Sequence, residues 1–357
     1  MDFVVKISND YIAIDTQIVN PNDLAFEKEL KGTGKLDFTI TIDNPQIAFI
    51  IQFKKVALYA VEDGADELLW SGYIENLDID FDVVKVTCYD EKKFMDKKIL
   101  FSNKTWVDPI GDILAELVNE SNTRDSGSRG NLSYNTDLGD TVTKDYAKGT
   151  KYSSIIGEVA DLLNAEWDVV LNEIRVTTSI GTDKTSGPGF LELVSNINSP
   201  SENNIISYRQ IRSGRDIVTS VIGKDSAAET TATANTAEFG HVEAVQTFSG
   251  SSSLADQTAA SIAESSVSQG YTEITVDSQS IDFREIEVGD TLAVRVERNN
   301  ELLDIDDTVK ILGKSVSLSD NTPMMTLKFG DIKKPITSPQ NFMANLKKDI
   351  DSLKLQY

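Results

Sequence analysis

The chain has one cysteine and one histidine in 357 residues, and each scarcity excludes chemistry. A lone thiol, Cys88, forms no intrachain disulfide and supplies no cysteine-rich metal site. Synthesis in a reducing cytoplasm is the natural expectation. A lone imidazole, His241, has no partner pattern around it and no G-x-S-x-G elbow to serve. It reads as a structural or exposed side chain. Long apolar runs are missing too. The longest, Ile47 to Val61, is broken by Gln52, Lys54 and Lys55, so no membrane span is expected. The N-terminus, MDFVVKISND, lacks a basic stretch followed by an apolar one, and no signal peptide is read there.

Basic charge is the next shortage. Lys and Arg number 34 against 57 Asp and Glu, a net charge of −23. A nucleic-acid ligand would need phosphate-neutralising cations, so the charge argues against nucleic acid as a bound ligand. Three uses of the acidity remain. It keeps the chain in solution. It could mark a salty habitat, but 25 of the 34 basic residues are lysine, which does not fit strong salt adaptation. Or it lines a conduit that DNA passes without sticking, a reading that needs support from the fold.

What is present is enough apolar material for packed cores, 40% of the residues, in a chain long enough for two to four domains. The first 90 residues read as strands. In Gly34 to Ile42 (GKLDFTITI), Leu36, Phe38, Ile40 and Ile42 alternate onto one face, and Asn44-Pro45 ends the run. Asp63-Gly64 separates Val56–Val61 from Leu68-Leu69-Trp70, a hairpin signal. Leu77 to Phe81 alternates again, and Val83 to Tyr89 returns after a short turn. Tight turns between short strands point to a small barrel or sandwich.

The pattern changes near residue 104. Asp108-Pro109 reads as an N-cap followed by proline at the first helical position. Ile110, Ile113, Leu114, Leu117 and Val118 fall at helical spacing, which predicts a helix over 109–120. Residues 121–149 are rich in Ser, Gly, Asn and Asp and read as a long loop. A second helix is predicted over 151–164, then a hairpin of Trp167–Leu171 and Ile174–Val176 across Asn172-Glu173. Residues 205–223 look extended. Strands are predicted at 242–248, 272–276, 291–296, 309–318 and 324–329, with a helix over 254–268 and a turn at Glu287-Val288-Gly289-Asp290.

Motifs that would carry chemistry fail on inspection. Gly32-Thr33-Gly34-Lys35 is close to a phosphate loop, but Glu29 stands where its first glycine belongs and Leu36 where its Ser/Thr belongs. A β-turn accounts for it better. Asp78, Asp80 and Asp82 alternate along one strand, and Asp304, Asp306 and Asp307 share a turn. Neither set has the glycine and distal glutamate of a calcium loop, so a solvated face is the better account. No pair among 57 acids stands out as a glycosidase pair. No cofactor, no metal and no enzymatic activity are expected.

The order of these elements resembles the tail-hub family of phages and related injection machines. The resemblance is carried by GKLDFTITIDNP at 34–45, LLWSGYIENLDIDFD at 68–82 and VVKVTCYDEKKFM at 83–95. It continues through PIGDILAELVN at 109–119, KYSSIIGEVADLLNAEWDVV at 151–170, IRSGRDIVTSVIGKD at 211–225 and EIEVGDTLAVRV at 285–296. Each motif is unspecific alone; their order over most of 1–335 is what resembles the family.

The resemblance implies a mainly β fold with an α+β insert, built on two tail-tube-like β-barrel domains. The expected layout is a first barrel at 1–103 completed by 205–223, an inserted module at 104–204, a second barrel with one helix at 224–334, and a linker with a C-terminal helix at 335–357. It implies a virion component of the tail tip, a structural homotrimer made in the host cytoplasm. Its ring would join the sixfold tail tube, or a distal-tail protein, to a threefold tip or fibre protein. DNA would cross the ring without specific binding. Edge-to-edge pairing around a ring would hide strand edges that otherwise aggregate. Any peptidoglycan-cleaving or receptor-binding activity is expected on another chain. Two alternatives stay open: a distal-tail or tube protein of the same particle, and an unrelated β-rich carbohydrate-binding module.

The C-terminal segment offers the expected partner-binding residues. Ser338 fits an N-cap and Pro339 the first helical position. Phe342, Leu346, Ile350 and Leu353 recur at spacings of four, four and three and form one stripe, flanked by Met343 and Leu355. A helix of this length is marginal alone in water. The stripe either packs on its own domain or docks on the next tail-tip protein.

Overall fold

The computed structural model describes residues 1–30, 32–125, 131–213, 218–224, 228–234, 242–247, 253–265, 269–277, 280–297, 305–319 and 322–330. His241 and the stripe Phe342, Leu346, Ile350 and Leu353 lie outside the described residues.

Seven strands open the chain: β1 (Asp2–Ser8), β2 (Ile14–Val19), β3 (Asn22–Glu29), β4 (Lys35–Thr41), β5 (Lys55–Glu62), β6 (Ala65–Ile79) and β7 (Val83–Asp90). The period-two pattern buries Leu36, Phe38 and Ile40 on β4 and leaves Ile42, just past its end, exposed. The β5–β6 hairpin turns on Asp63 and Gly64, with φ of 52° and 81°. Positive φ at both centres is what a two-residue hairpin turn demands. On β6, a Cβ added to Gly72 would lie 2.1 Å from Tyr89 O and 2.4 Å from the Trp70 ring. The glycine of the W-S-G-Y segment is therefore what lets β7 approach. Cys88 is buried on β7 as a core thiol, and burial pushes its pKa well above the usual value. Asp90 ends β7 and caps the short helix α1 (Glu91–Met95), accepting from Lys93 N.

An α+β module follows: β8 (Lys104–Pro109), α2 (Ile110–Asp125), β9 (Ser133–Thr136), β10 (Thr141–Tyr146), α3 (Tyr152–Leu162), β11 (Glu166–Val170) and β12 (Glu173–Thr177). Both predicted helices form, and their apolar stripes are buried, with Ile110, Ile113, Leu114 and Leu117 facing the core beside Ile155, Ile156 and Val159. Three details differ from the sequence reading. Pro109 closes β8 instead of opening α2, because β8 pairs with β10 up to Pro109↔Thr141. The segment read as a loop over 121–149 holds β9 and β10, mostly polar strands of which β10 still buries Val142 and Tyr146. The β11–β12 turn sits on Leu171 and Asn172, φ 49° and 68°, one residue earlier than expected. The module's core also takes in Tyr73, Phe94 and Met95 from the first strand segment.

The remaining strands are β13 (Glu192–Asn196), β14 (Ile205–Ser213), β15 (Ser220–Lys224), β16 (Glu229–Thr233), β17 (Glu243–Thr247), β18 (Gln269–Val276), β19 (Thr291–Glu297), β20 (Ile305–Ser319) and β21 (Thr322–Phe329), with helix α4 (Leu254–Ser265) between β17 and β18. The main sheet runs β14-β18-β21-β20-β3-β4-β7-β6-β5-β1-β2, with β13 joined through β19 to β20. The long strand β20 pairs with β19 along Ile305–Lys310 and with β3 along Gly313–Ser317, while β21 covers its other side.

The mainly β expectation holds, and the path is open: among the described residues no barrel closes. A closed barrel of 1–103 would need the outer edge of β3, and β20 occupies that edge. Residues 205–213 do not complete the first sheet segment, because β14 lies beside β18 at the far end of the order. The compact units divide differently from the expected boundaries. One comprises Met1–Tyr208 with Glu273–Phe329; the other comprises the described residues of Arg209–Thr272 together with Gly330. The physical reason is again β20, whose pairing makes 273–329 continuous with the N-terminal strands. In the second unit β15 pairs antiparallel with β16 and parallel with β17, and α4 packs on β15 and β16. Among the described residues no helix is long and apolar enough to cross a membrane.

Candidate functional site

The first unit contains two buried ionic sites that fix how its elements meet. At the first, Lys55 opens β5 and Glu91 opens α1. Their side chains are 2% and 0% exposed, and Lys55 Nζ lies 2.8 Å from each carboxylate oxygen. Tyr11, in the β1–β2 loop with φ 66°, sets its hydroxyl between Gly72 O, at 2.6 Å, and the Glu91 carboxylate. Burial and the neighbouring Glu91 charge hold the Tyr11 phenol well above its ordinary pKa. Lys55 also faces the Phe94 ring, 4.9 Å from its centroid. The cluster ties the β1–β2 loop, β5, β6 and α1 together, and its closed geometry suits a clamp and not a reaction.

The second site lies on β20. Lys314 is buried, donates to Ile286 O and sits 3.2 Å from the Glu287 carboxylate. Lys28 on β3 takes the other oxygen of Glu287 at 2.8 Å. Burial lowers Lys314 to about 8. Burial acts to raise Glu287, but Lys28 and Lys314 outweigh it and hold its pKa below the usual value. Close by, Asp290 accepts from Thr182 N and from Glu287 N, each at 2.8 Å, and pairs with Lys184 at 2.9 Å. This network fixes the turn at Glu287–Asp290, where Gly289 has φ 94°.

Between these sites the first unit has a cleft of about 380 Å³ lined by Lys28, Trp70, Asp90, Lys92, Asp168 and Glu287 among others. Its charges alternate in sign and are largely satisfied internally. Lys92 Nζ donates to Leu30 O at 2.7 Å and lies 3.7 Å from Asp168. Burial raises Asp90 to about 7, against the lowering effect of its hydrogen bond from Gly34 N and of Lys92. Among the described residues no group of three or more His, Cys, Asp or Glu side chains is placed to hold a metal ion.

The outer surface is more informative about partners. Among the described residues β2 ends the strand order, and Ile14 and Val19 on it, with Ile12 just before it, are exposed. The β6–β7 tip presents Ile79 and Phe81 to solvent, beside Ile42 at the end of β4. Exposed apolar groups gathered at one place, and strand edges without neighbours, mark surfaces that assembly covers.

The expected partner-binding stripe at 342–353 is outside the described residues, so these surfaces are additions to it. Reading the sequence passed over Tyr11, Lys55 and Glu91. A signal existed for one of them: Lys55 opens an apolar strand, where a charge survives burial only with a buried partner. Nothing local to the sequence points to Tyr11, 80 residues from Glu91.

No protein-family model matches the chain, and no curated protein matches it. Solved structures do match, nearly end to end. The 43 kDa tail protein of prophage MuSo2 from Shewanella oneidensis aligns with a TM-score of 0.63 at 13% identity, covering 92% of this chain and 97% of that one. A tail protein from Neisseria meningitidis MC58 gives 0.66 at 12%, with the same coverage. The E. coli c3393 protein, described as a type VI secretion component structurally similar to phage T4 tail proteins gp27 and gp5, gives 0.51 at 11% over 94% of this chain and 80% of its own. At such identities the likeness is one of fold. The chain has the fold of phage tail proteins and of the hub-like proteins of type VI secretion, as its element order led one to expect.

Proposed function

We propose that the chain is a structural, non-enzymatic hub protein of a phage-type tail, positioned at the tail tip of the virion after synthesis in the host cytoplasm. Three copies form a ring that joins a sixfold tube to a threefold tip, and DNA crosses its centre. The observation that carries this reading is the end-to-end fold match, 92% of this chain against 97% of two different tail proteins. The open edge at β2 and the exposed apolar tip of β6–β7 support it, since a ring supplies neighbours for both. The charge of −23 supports passage: DNA carries one negative charge per ~1.7 Å of axis, so an acidic wall disfavours sticking.

Native mass spectrometry of the purified protein, with negative-stain imaging, tests the reading. A trimeric ring is the expected result. A sixfold ring would point to a tube or distal-tail protein, and a strict monomer or dimer at micromolar concentration would overturn the hub.

A further inference from the structure

Two surfaces of the first unit differ in sign and match in character. One is the β6–β7 tip. Phe81, at its point, is 88% exposed, and Ile79 and Ile42 are exposed beside it. Ile42 N donates to Asp82 O at 3.0 Å, which holds the end of β4 against the tip. Around these apolar groups stand Asp43, Asp78, Asp80 and Asp82, all exposed. Asp78 lies opposite Lys85 in the β6–β7 ladder. Asp43, Asp80 and Asp82 have no cationic partner among the described residues.

The other surface surrounds Phe101, just after α1. Phe101 is 56% exposed and Ile99 is exposed next to it. Ile99 bridges to Lys151, and Leu100 exchanges backbone hydrogen bonds with Gly149 and Thr150. That pairing brings Lys148 and Lys151 alongside the two apolar residues. Both lysines are exposed and neither has an acidic partner among the described residues. Arg124 sets its guanidinium 4.1 Å from the Phe101 ring centroid and pairs with Glu120, whose carboxylate accepts from Phe101 N, so the uncompensated charge here is that of the two lysines. In a chain of net charge −23, two exposed lysines without acidic partners among the described residues set this apolar surface apart.

We propose that the β6–β7 tip of one copy docks on the Phe101 surface of the next copy, so that the occupant of each surface is a second copy of this chain. The charge pattern sets the geometry. Tip against tip would press aspartates together, and the Phe101 surface against itself would do the same with lysines; like charges so placed oppose association. Tip against Phe101 surface pairs aspartate with lysine and covers Phe81 and Phe101 together. Such a contact joins different patches on the two partners, and head-to-tail contacts of this kind build a ring when the rotation between copies closes and a filament when it does not. The inference rests on the ring proposed above and specifies which faces make it.

The test uses the full-length chain, native mass spectrometry and sedimentation at low salt, and charge reversal on each side. Asp80→Lys with Asp82→Lys, and separately Lys148→Glu with Lys151→Glu, should each raise the dissociation constant of the assembly about 100-fold. Combining all four should restore it to within about tenfold of the parent, a rescue that misfolding cannot produce. Phe81→Ser should weaken assembly with an unchanged thermal transition of the monomer. If the reversed chains assemble as the parent does, or the fourfold variant is not rescued, this contact is overturned and the ring stands. A parent chain that stays monomeric at tens of micromolar overturns the ring itself.

Discussion

Lys55 and Lys314 are both buried lysines in the main sheet of the first unit, and their surroundings solve the problem of a buried cation in two ways. Lys55 has Glu91 as its one anionic partner among the described residues, both side chains are almost wholly out of solvent, and Tyr11 closes the site. Lys314 donates to the Ile286 carbonyl and shares Glu287 with Lys28, while the glutamate side chain keeps 41% of its surface. In the first arrangement each charge is tolerable only because the other is there. In the second, water and a second lysine share the glutamate, so loss of either lysine leaves Glu287 paired. Burial of a lysine therefore says little about its weight in the fold until the exposure of its partner is known.

Removing one lysine at a time is the most direct way to break this comparison. Lys55→Met should leave Glu91 in the core without its cation and destabilise the protein by about 3–5 kcal/mol in urea unfolding. Changing Lys55 to Met and Glu91 to Leu together should recover most of that loss. An equal loss in the double variant would show that the pair is not what holds the site.

Asp90, adjacent to Glu91, sharpens the comparison through pH. Its folded pKa of about 7 lies above its unfolded value of 3.8, so between these values the folded chain holds a proton that the unfolded chain has lost. The linkage makes stability fall as pH rises through that window, by roughly 2 kcal/mol between pH 5 and 7. Asp90→Asn should flatten the corresponding fall in unfolding temperature, whatever its offset from the lost hydrogen bond. An unchanged slope would assign the dependence to other groups.

Lys314→Met should have the smallest effect. Glu287 keeps Lys28 at 2.8 Å, and only the Ile286 carbonyl loses its donor, a loss of about 1–2 kcal/mol. Because burial lowers Lys314 to about 8, the parent should gain stability between pH 8 and 10, where the unfolded chain is still protonated and the folded one is not. The Met variant should lack that gain. A loss as large as that of Lys55→Met would erase the distinction between the two sites.

Local pattern carried much of the architecture. The alternation of Leu36, Phe38 and Ile40, the stripe of α2 and α3, and the Asp63-Gly64 turn were all legible, because each rests on residues near one another in the chain. β9 and β10 were not, since Ser133–Thr136 and Thr141–Tyr146 are mostly polar and only Val142 and Tyr146 among them reach the core. The open path of the sheet was hidden for a different reason: the strand that occupies the edge of β3 lies nearly 300 residues away. The same holds for the surfaces. Asp78, Asp80 and Asp82 were readable as a solvated face, whereas the meeting of Phe101 with Lys148 and Lys151 depends on a tertiary bridge between Ile99 and Lys151.

The pairing of β20 with β3 also governs how the chain can fold. Lys328 and Glu29, which meet across this part of the sheet, are 299 residues apart. A nascent chain must therefore hold β3 with one edge open until almost the whole described sequence has been made. Topologies dominated by such distant contacts fold slowly, and an unpaired edge exposed meanwhile invites aggregation. Truncation within β20 would leave β1–β7 present and their sheet unfinished. Yield of soluble protein should thus depend less on the strength of the N-terminal core than on how promptly the last two strands arrive.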